Sequence, residues 1–202
     1  MKGHAWSLAA PFGVIALAAS CGGDGGPTEI ENNISEAEAM AVFAEVLSAV
    51  FTVGFSTGSS VADGQAGAAS DEIIIDATAA CDGGGTIAVS GRFAFDIDSQ
   101  GSGSGSYDLT ETPSDCSVTT GTGVTYRVNG DPNIHMAGSY SYSQGAPQGT
   151  FDMSFSGGLN WTATNGGASG SCRMDLVYAF DWGTSHGSVT GTICGYEINQ
   201  QY

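Results

Sequence analysis

The sequence predicts a mostly β domain: an antiparallel meander of about eight to ten strands that curls into a barrel or half-barrel, with one N-terminal helix packed on it. Two observations carry this. From Asp71 onward, bulky apolar residues recur at every second position, the period of a strand with one dry and one wet face. Turn signals also separate the apolar runs by links too short for crossover helices, which excludes a parallel sheet.

In chain order, the first element is an apolar run from Ala5 to Ala19 behind a single Lys2, closed by Ala18-Ala19-Ser20-Cys21. Its length and flanks suit a secretion signal over 1–20, and it is shorter than the roughly 20 apolar residues of a spanning helix. The small residues before the cysteine resemble the lipobox of bacterial lipoproteins, although Leu17 stands four residues before Cys21 where that family usually has it three before. The resemblance covers only the leader. It implies that Cys21 becomes the mature N-terminus and is lipidated, giving a membrane partner through acyl chains that contribute about 0.8 kcal/mol per buried CH₂. Gly22, rather than Asp, after the cysteine points to an outer-membrane location, on the periplasmic face or at the surface.

Residues 21–33 then read as a flexible Gly-rich tether, and 34–202 as one disulfide-braced domain. Ser35 with Glu38 forms a capping-box pattern. Met40, Phe43, Leu47, Val50 and Phe51 follow at helical spacing, and Gly54 marks a stop, so a helix is expected over 36–53 with its apolar side on the sheet. Residues 56–70 are a second polar, Gly-rich connection.

The strand runs follow. Ile73 and Ile75 begin them. Ile87, Val89, Phe93, Phe95 and Ile97 share one face, with Ser90, Arg92, Asp96 and Asp98 on the other. Tyr107 and Leu109 come next, then Val124 to Val128, Ile134 to Tyr142, Phe151 to Trp161, Met174 to Trp182, and Val189 with Ile193. Turns are expected at Ser99-Gln100-Gly101, Thr112-Pro113, Asn129-Gly130, Gly145-Ala146-Pro147, Asn165-Gly166 and Gly183-Thr184. An outer-membrane barrel has the same alternation turned inside out, but the capped helix and the cysteines fit it poorly.

Five cysteines behind a secretion signal leave one for lipid and four for disulfides. Opposed residues of a hairpin share a constant index sum. A turn at Ser99-Gln100 sets it near 199 and one at Thr184 near 368, while Cys81 with Cys116 gives 197 and Cys172 with Cys194 gives 366. The expected disulfides are therefore Cys81–Cys116 and Cys172–Cys194, the second needing a bulge or a strand end.

Beyond residue 20 the chain has three arginines, no lysine and 21 acids, a formal charge of −18. Such a surface repels phosphate backbones, so nucleic acid is not an expected partner. No cofactor is expected. Gly183-Thr184-Ser185-His186-Gly187 matches G-x-S-x-G, but that nucleophile elbow needs a strand-to-helix turn and a later histidine, and here a strand follows and no histidine does. Asp96 and Asp98, before Gln100-Gly101, resemble half of a calcium loop that lacks its remaining acidic ligands; the alternative is a solvated hairpin tip. His135 and His186 are far apart and read as surface residues. Tyr107, Tyr126, Tyr140, Tyr142, Trp161, Tyr178 and Trp182 fall on the bulky face as core or as a wall for an apolar ligand. The leading functional expectation is a non-enzymatic cell-envelope lipoprotein acting as a structural or binding module. A barrel-type carrier of a small apolar ligand or lipid comes second and a hydrolase third.

Overall fold

A computed structural model of the chain describes residues 34–58, 69–143 and 149–202, with the helix side chains from Ala49 on, and those of Leu47, Ala69 and Ser70, outside the description. The signal, the tether with Cys21, residues 59–68 and the Gly145-Ala146-Pro147 turn lie outside the described residues, as do the side chains of Leu47, Val50 and Phe51. One helix, α1 (Glu36–Gly58), precedes nine strands: β1 (Ala69–Ala80), β2 (Thr86–Ile97), β3 (Gly103–Ser114), β4 (Cys116–Thr119), β5 (Thr125–Tyr142), β6 (Thr150–Ala163), β7 (Ser169–Asp181), β8 (His186–Ile193) and β9 (Tyr196–Gln201). They form a single antiparallel sheet in the order β1-β2-β3-β5-β6-β7-β8-β9, with β4 also paired to β5, and the sheet is open rather than closed. The curled, half-barrel form of the expected meander is the one observed. The polar face, with Asp108, Ser154 and Asp175 exposed, is outermost, which removes the inside-out membrane-barrel alternative.

Three local expectations are corrected. The helix does not stop at residue 53 but runs to Gly58. Gly54 costs a helix interior about 1 kcal/mol against Ala, too little to end it. Thr112-Pro113 is not a turn but lies within β3, where Pro113 opposes Ile87. Counting alternate residues from the Asp98 N–H to Ser102 carbonyl bond, the even residues of β3 bond to β2. Pro113 therefore gives up no β2–β3 bond, and its ring faces the side where pairing to β5 has ended at Glu111–Ile134. Asn129-Gly130 is likewise no turn. Both residues stay paired to β6, and the Asn129 side chain accepts the Asp115 N–H at 2.9 Å, securing the kink between β3 and β4.

Immediately after Gly130 the ladder breaks. Asp131, Pro132 and Asn133 on β5 face Gly158 alone on β6, since Gly130 pairs with Leu159 and Ile134 with Gly157. This bulge bends β5, so that its first half pairs with β4 and its second half with β3. Glycine is required opposite: a Cβ on Gly158 would stand 2.7 Å from the Asp131 carbonyl oxygen. Arg173, paired with Gly158 on the other side, reaches across it to Asp131 with 3.6 Å between charged atoms.

The remaining turns use their expected chemistry. Asp98 Oδ1 accepts the Gln100 and Ser102 N–H groups at 2.8 and 2.9 Å. Asp181 Oδ1 does the same for Gly183 and Thr184 at 2.7 and 3.2 Å. Cys194 and Gly195 join β8 to β9 with φ of 50° and 84°, the left-handed pair of a type I′ turn.

The curl exists because the dry face must be covered. Ala39, Met40, Val42, Phe43 and Val46 of α1 are buried with the inward residues of the strands, and Phe43 meets Phe155 of β6 edge-on at 5.0 Å. Polar ties also fix the helix. Ser35 and Glu38 form the capping box, the Ser35 N–H donating to Glu38 Oε2 at 3.0 Å and its hydroxyl donating at 2.7 Å. Glu45 accepts the Asp82 N–H at 3.1 Å, and the Tyr196 hydroxyl of β9 donates to the Ile34 carbonyl at 2.9 Å. Helix α1 thus reaches both flanks of the open sheet.

On the same inner face, tyrosines lie over cross-strand glycines: Tyr142 opposite Gly103, Tyr140 opposite Gly105 and Tyr107 opposite Gly138. Each ring fills the room left by the missing side chain. The Tyr107 hydroxyl crosses Gly138 and donates to the Asp152 carbonyl at 2.9 Å. Both expected disulfides are present, Cys81–Cys116 and Cys172–Cys194. The first is not closed across a single hairpin as expected: a separate turn separates β1 from β2 after Cys81, and the bond joins that turn to β4. The second uses a strand end, Cys194 standing one residue past β8.

Two substitutions test this packing. Phe43→Ala should lower the unfolding free energy by about 3–5 kcal/mol, through lost burial and the cavity left over Phe155. Gly138→Ala should cost about 2 kcal/mol or more, since the new methyl meets both the Tyr107 ring and the Asp152 carbonyl. Urea titration monitored by tryptophan fluorescence measures both; a change below about 0.5 kcal/mol in either would contradict the packing described.

Candidate functional site

The period of two that buries Tyr107 and Leu109 also buries the residue two positions on. Glu111 is fully inaccessible on the dry face, opposite Val89 of β2 and Ile134 of β5. Neither carboxyl oxygen has a hydrogen-bond partner, and the only other such buried side-chain atom among the described residues is Trp161 Nε1. Burial pushes the Glu111 carboxyl up to about 8, so it is held as the neutral acid at pH 7. A turn expected at Thr112-Pro113 leaves Glu111 at a strand end, where alternation does not assign it to the dry face. With the strand continued through Pro113, alternation alone turns Glu111 inward.

A second ionisable cluster lies where the helix begins. Burial raises the Glu38 carboxyl, but hydrogen bonds from the Ser35 backbone and side chain and from Thr122 and Tyr126 outweigh it and hold the group below its ordinary value. Its neighbour Tyr126 is pushed up to about 12, by burial first and then by the Glu38 charge. The cluster is structural, since it locks α1 to the β4–β5 turn through the Thr122 hydroxyl, which donates to Glu38 Oε1 at 3.1 Å.

The residues singled out from sequence are spread over the surface rather than gathered. Ser185 sits in the β7–β8 turn at φ 56°, with strands on both sides, and His186 Nδ1 lies 2.8 Å from the Thr184 carbonyl oxygen. Asp98 caps its own hairpin, while Asp96 lies on the outer face of β2 opposite Ser104. Among the described residues no three His, Cys, Asp or Glu side chains are grouped as a metal would need. His135 Nε2 is 2.8 Å from Asp108 Oδ1 on the outer face, both side chains largely exposed. Arg127 pairs with Asp115 at 3.9 Å, and such exposed pairs contribute little. The aromatic wall divides. Tyr107, Tyr126 and Trp161 are buried, the last two edge-on at 5.5 Å. Tyr142, Trp182 and Tyr202 are exposed where the row of rings meets solvent.

The interior of the curl is occupied by the α1 side chains. Two depressions on the described surface are open ones. One of about 930 Å³ runs past Glu72, Asp96, Ser104, Ser106, Ser139 and Tyr140. The other, about 280 Å³, lies beside Asp152, Asp181 and His186. Comparison with known proteins gives no relative: no family model, no curated protein and no solved structure matches the chain.

Glu111 makes a pH prediction. Its folded value lies above that of the unfolded chain, so the folded state binds the extra proton. The stability it allows is full below about pH 4.5, falls by up to about 1.4 kcal/mol per unit as pH rises, and is fully lost above about pH 8. Glu111→Gln removes the titration. Denaturant unfolding across this range should show the wild type losing several kcal/mol relative to the variant; parallel curves would show that Glu111 does not carry a buried proton.

Proposed function

We propose that the protein is a lipid-anchored cell-envelope module, non-enzymatic, which presents its β domain on the 21–33 tether as a structural or binding element at an outer membrane. The observation that carries this is cysteine use: Cys81, Cys116, Cys172 and Cys194 are consumed in two disulfides, which belong to an oxidising compartment, and the fifth cysteine closes the apolar leader. The charge of −18 beyond residue 20 adds to it. So acidic a chain is repelled by anionic headgroups and phosphates, so a covalent anchor, rather than electrostatics, holds it at a membrane, and nucleic acid is not its partner.

A carrier of an apolar ligand is the second reading, favoured by the exposed rings of Tyr142, Trp182 and Tyr202 at one end of the aromatic row. The interior that such a ligand would enter holds Met40, Phe43 and Val46, so α1 would have to move to admit it.

Cys21→Ser decides the anchor. The wild-type chain should fractionate with membranes and the variant with the soluble fraction, and intact mass should show acyl chains on the wild type only. Unchanged partition of the variant would overturn the proposal.

A further inference from the structure

Strand β1 is twelve residues long and hydrogen-bonded on one side only. The Cys81 N–H donates to the Gly85 carbonyl at 3.2 Å, and pairs alternate from there, so the odd residues of β1 bond to β2. The N–H and C=O groups of Glu72, Ile74 and Asp76 therefore point away from the sheet, and no described residue pairs with them. Their side chains are exposed on the outer face, and Ile74 at 66% is more exposed than any other large hydrophobic side chain described.

An edge of this length normally carries its charges to stop other strands from adding. Here an apolar side chain stands at the middle of the row with one acid on either side. The other free edge differs: on β9 the outward positions carry Glu197, Asn199 and Gln201, with no apolar anchor.

We propose that the outer edge of β1 takes up, by strand addition, an extended segment of another protein whose alternate side chains run basic, apolar, basic. Backbone bonds to residues 72, 74 and 76 supply the register, and the side chains facing Glu72, Ile74 and Asp76 supply the choice. A second copy of this chain is the wrong occupant. Centred on Ile74, antiparallel self-pairing sets Glu72 against Asp76 of the copy, like charges directly opposed. Nor is the required basic sequence found beyond residue 20, where the chain has only isolated arginines. The proposal rests on reading the domain as a binding module and not on the anchor.

The test uses the full chain carrying Cys21→Ser, so that a failure at the edge stays separable from a failure of lipidation. The probe is the blocked heptapeptide Thr-Lys-Thr-Ile-Thr-Lys-Thr, with its Glu-for-Lys counterpart as control. Titration calorimetry at low ionic strength should show saturable binding of the basic peptide and at least about tenfold weaker binding of the acidic one. Binding should newly protect the amides of Glu72, Ile74 and Asp76 from hydrogen exchange. Glu72→Lys with Asp76→Lys, which leaves the backbone untouched, should invert the preference. Ile74→Pro removes one outward N–H and no β1–β2 bond, and should weaken binding by about tenfold. Absence of binding, equal affinity for both peptides, protection elsewhere, or self-association that protects these same amides would overturn the proposal.

Discussion

The structure depends on one strand serving two partners. Strand β5 begins against β4 and ends against β3, and the bulge at Asp131–Asn133 lets it turn from one to the other while β6 pairs with it on both sides of the bulge. The bulge adds a local bend and extra twist to the twist that every sheet carries, and it is at this point that β5 passes from β4 to β3. The elements that permit the bend are local and specific. Gly157 and Gly158 admit the displaced β5 backbone, the Asn129 amide secures the kink at Asp115, and Arg173 lies over the gap toward Asp131.

Once the sheet is bent, the rest follows from filling a concave apolar surface. The rings of Tyr107, Tyr140 and Tyr142 take the room over cross-strand glycines, where a Cβ on Gly138, Gly105 or Gly103 would collide with them. Phe43 and Met40 of α1 occupy the depth that remains. Because α1 is tied at Tyr196 on one flank and at Asp82 on the other, it serves the open sheet in the place of a closing strand pair. Glu111 is the exception in this interior. An unpaired carboxylate there would be costly, and the site accommodates the residue only by keeping its proton.

Much of this is legible in the chain. The period of two and the capping box at Ser35–Glu38 depend on neighbours in sequence, so they can be read locally, and the fold class with them. The disulfide partners are legible too, although Cys81 and Cys116 lie across two successive hairpins rather than one. What failed was punctuation. Thr112-Pro113 and Asn129-Gly130 are turn signals by composition, and each is overridden by a neighbouring strand: Pro113 because its missing donor faces no partner, Asn129 because its side chain is engaged by a residue fourteen positions away. The misplaced turn at Pro113 hid Glu111, and the free edge of β1 was invisible for a different reason. Which strand ends a sheet is a property of topology, and alternation along Ile73–Ile75 is the same at an edge as at the centre.

The covalent ties stand where the hydrogen-bond ladder cannot hold the chain. Cys81–Cys116 joins the β1–β2 turn to the first residue of β4, just past the kink at Asp115, and Cys172–Cys194 clamps the last turn of the sheet to β7. With their cysteines 35 and 22 positions apart in sequence, the two bonds restrict the unfolded chain by about 3–4 kcal/mol each. That matters for a domain so acidic, because its self-repulsion works against the compact state and grows as salt is diluted. Bonds that act through the unfolded chain are indifferent to ionic strength. An exposed edge and an acidic surface are then compatible with the fold, since its stability does not rest on neutralising either.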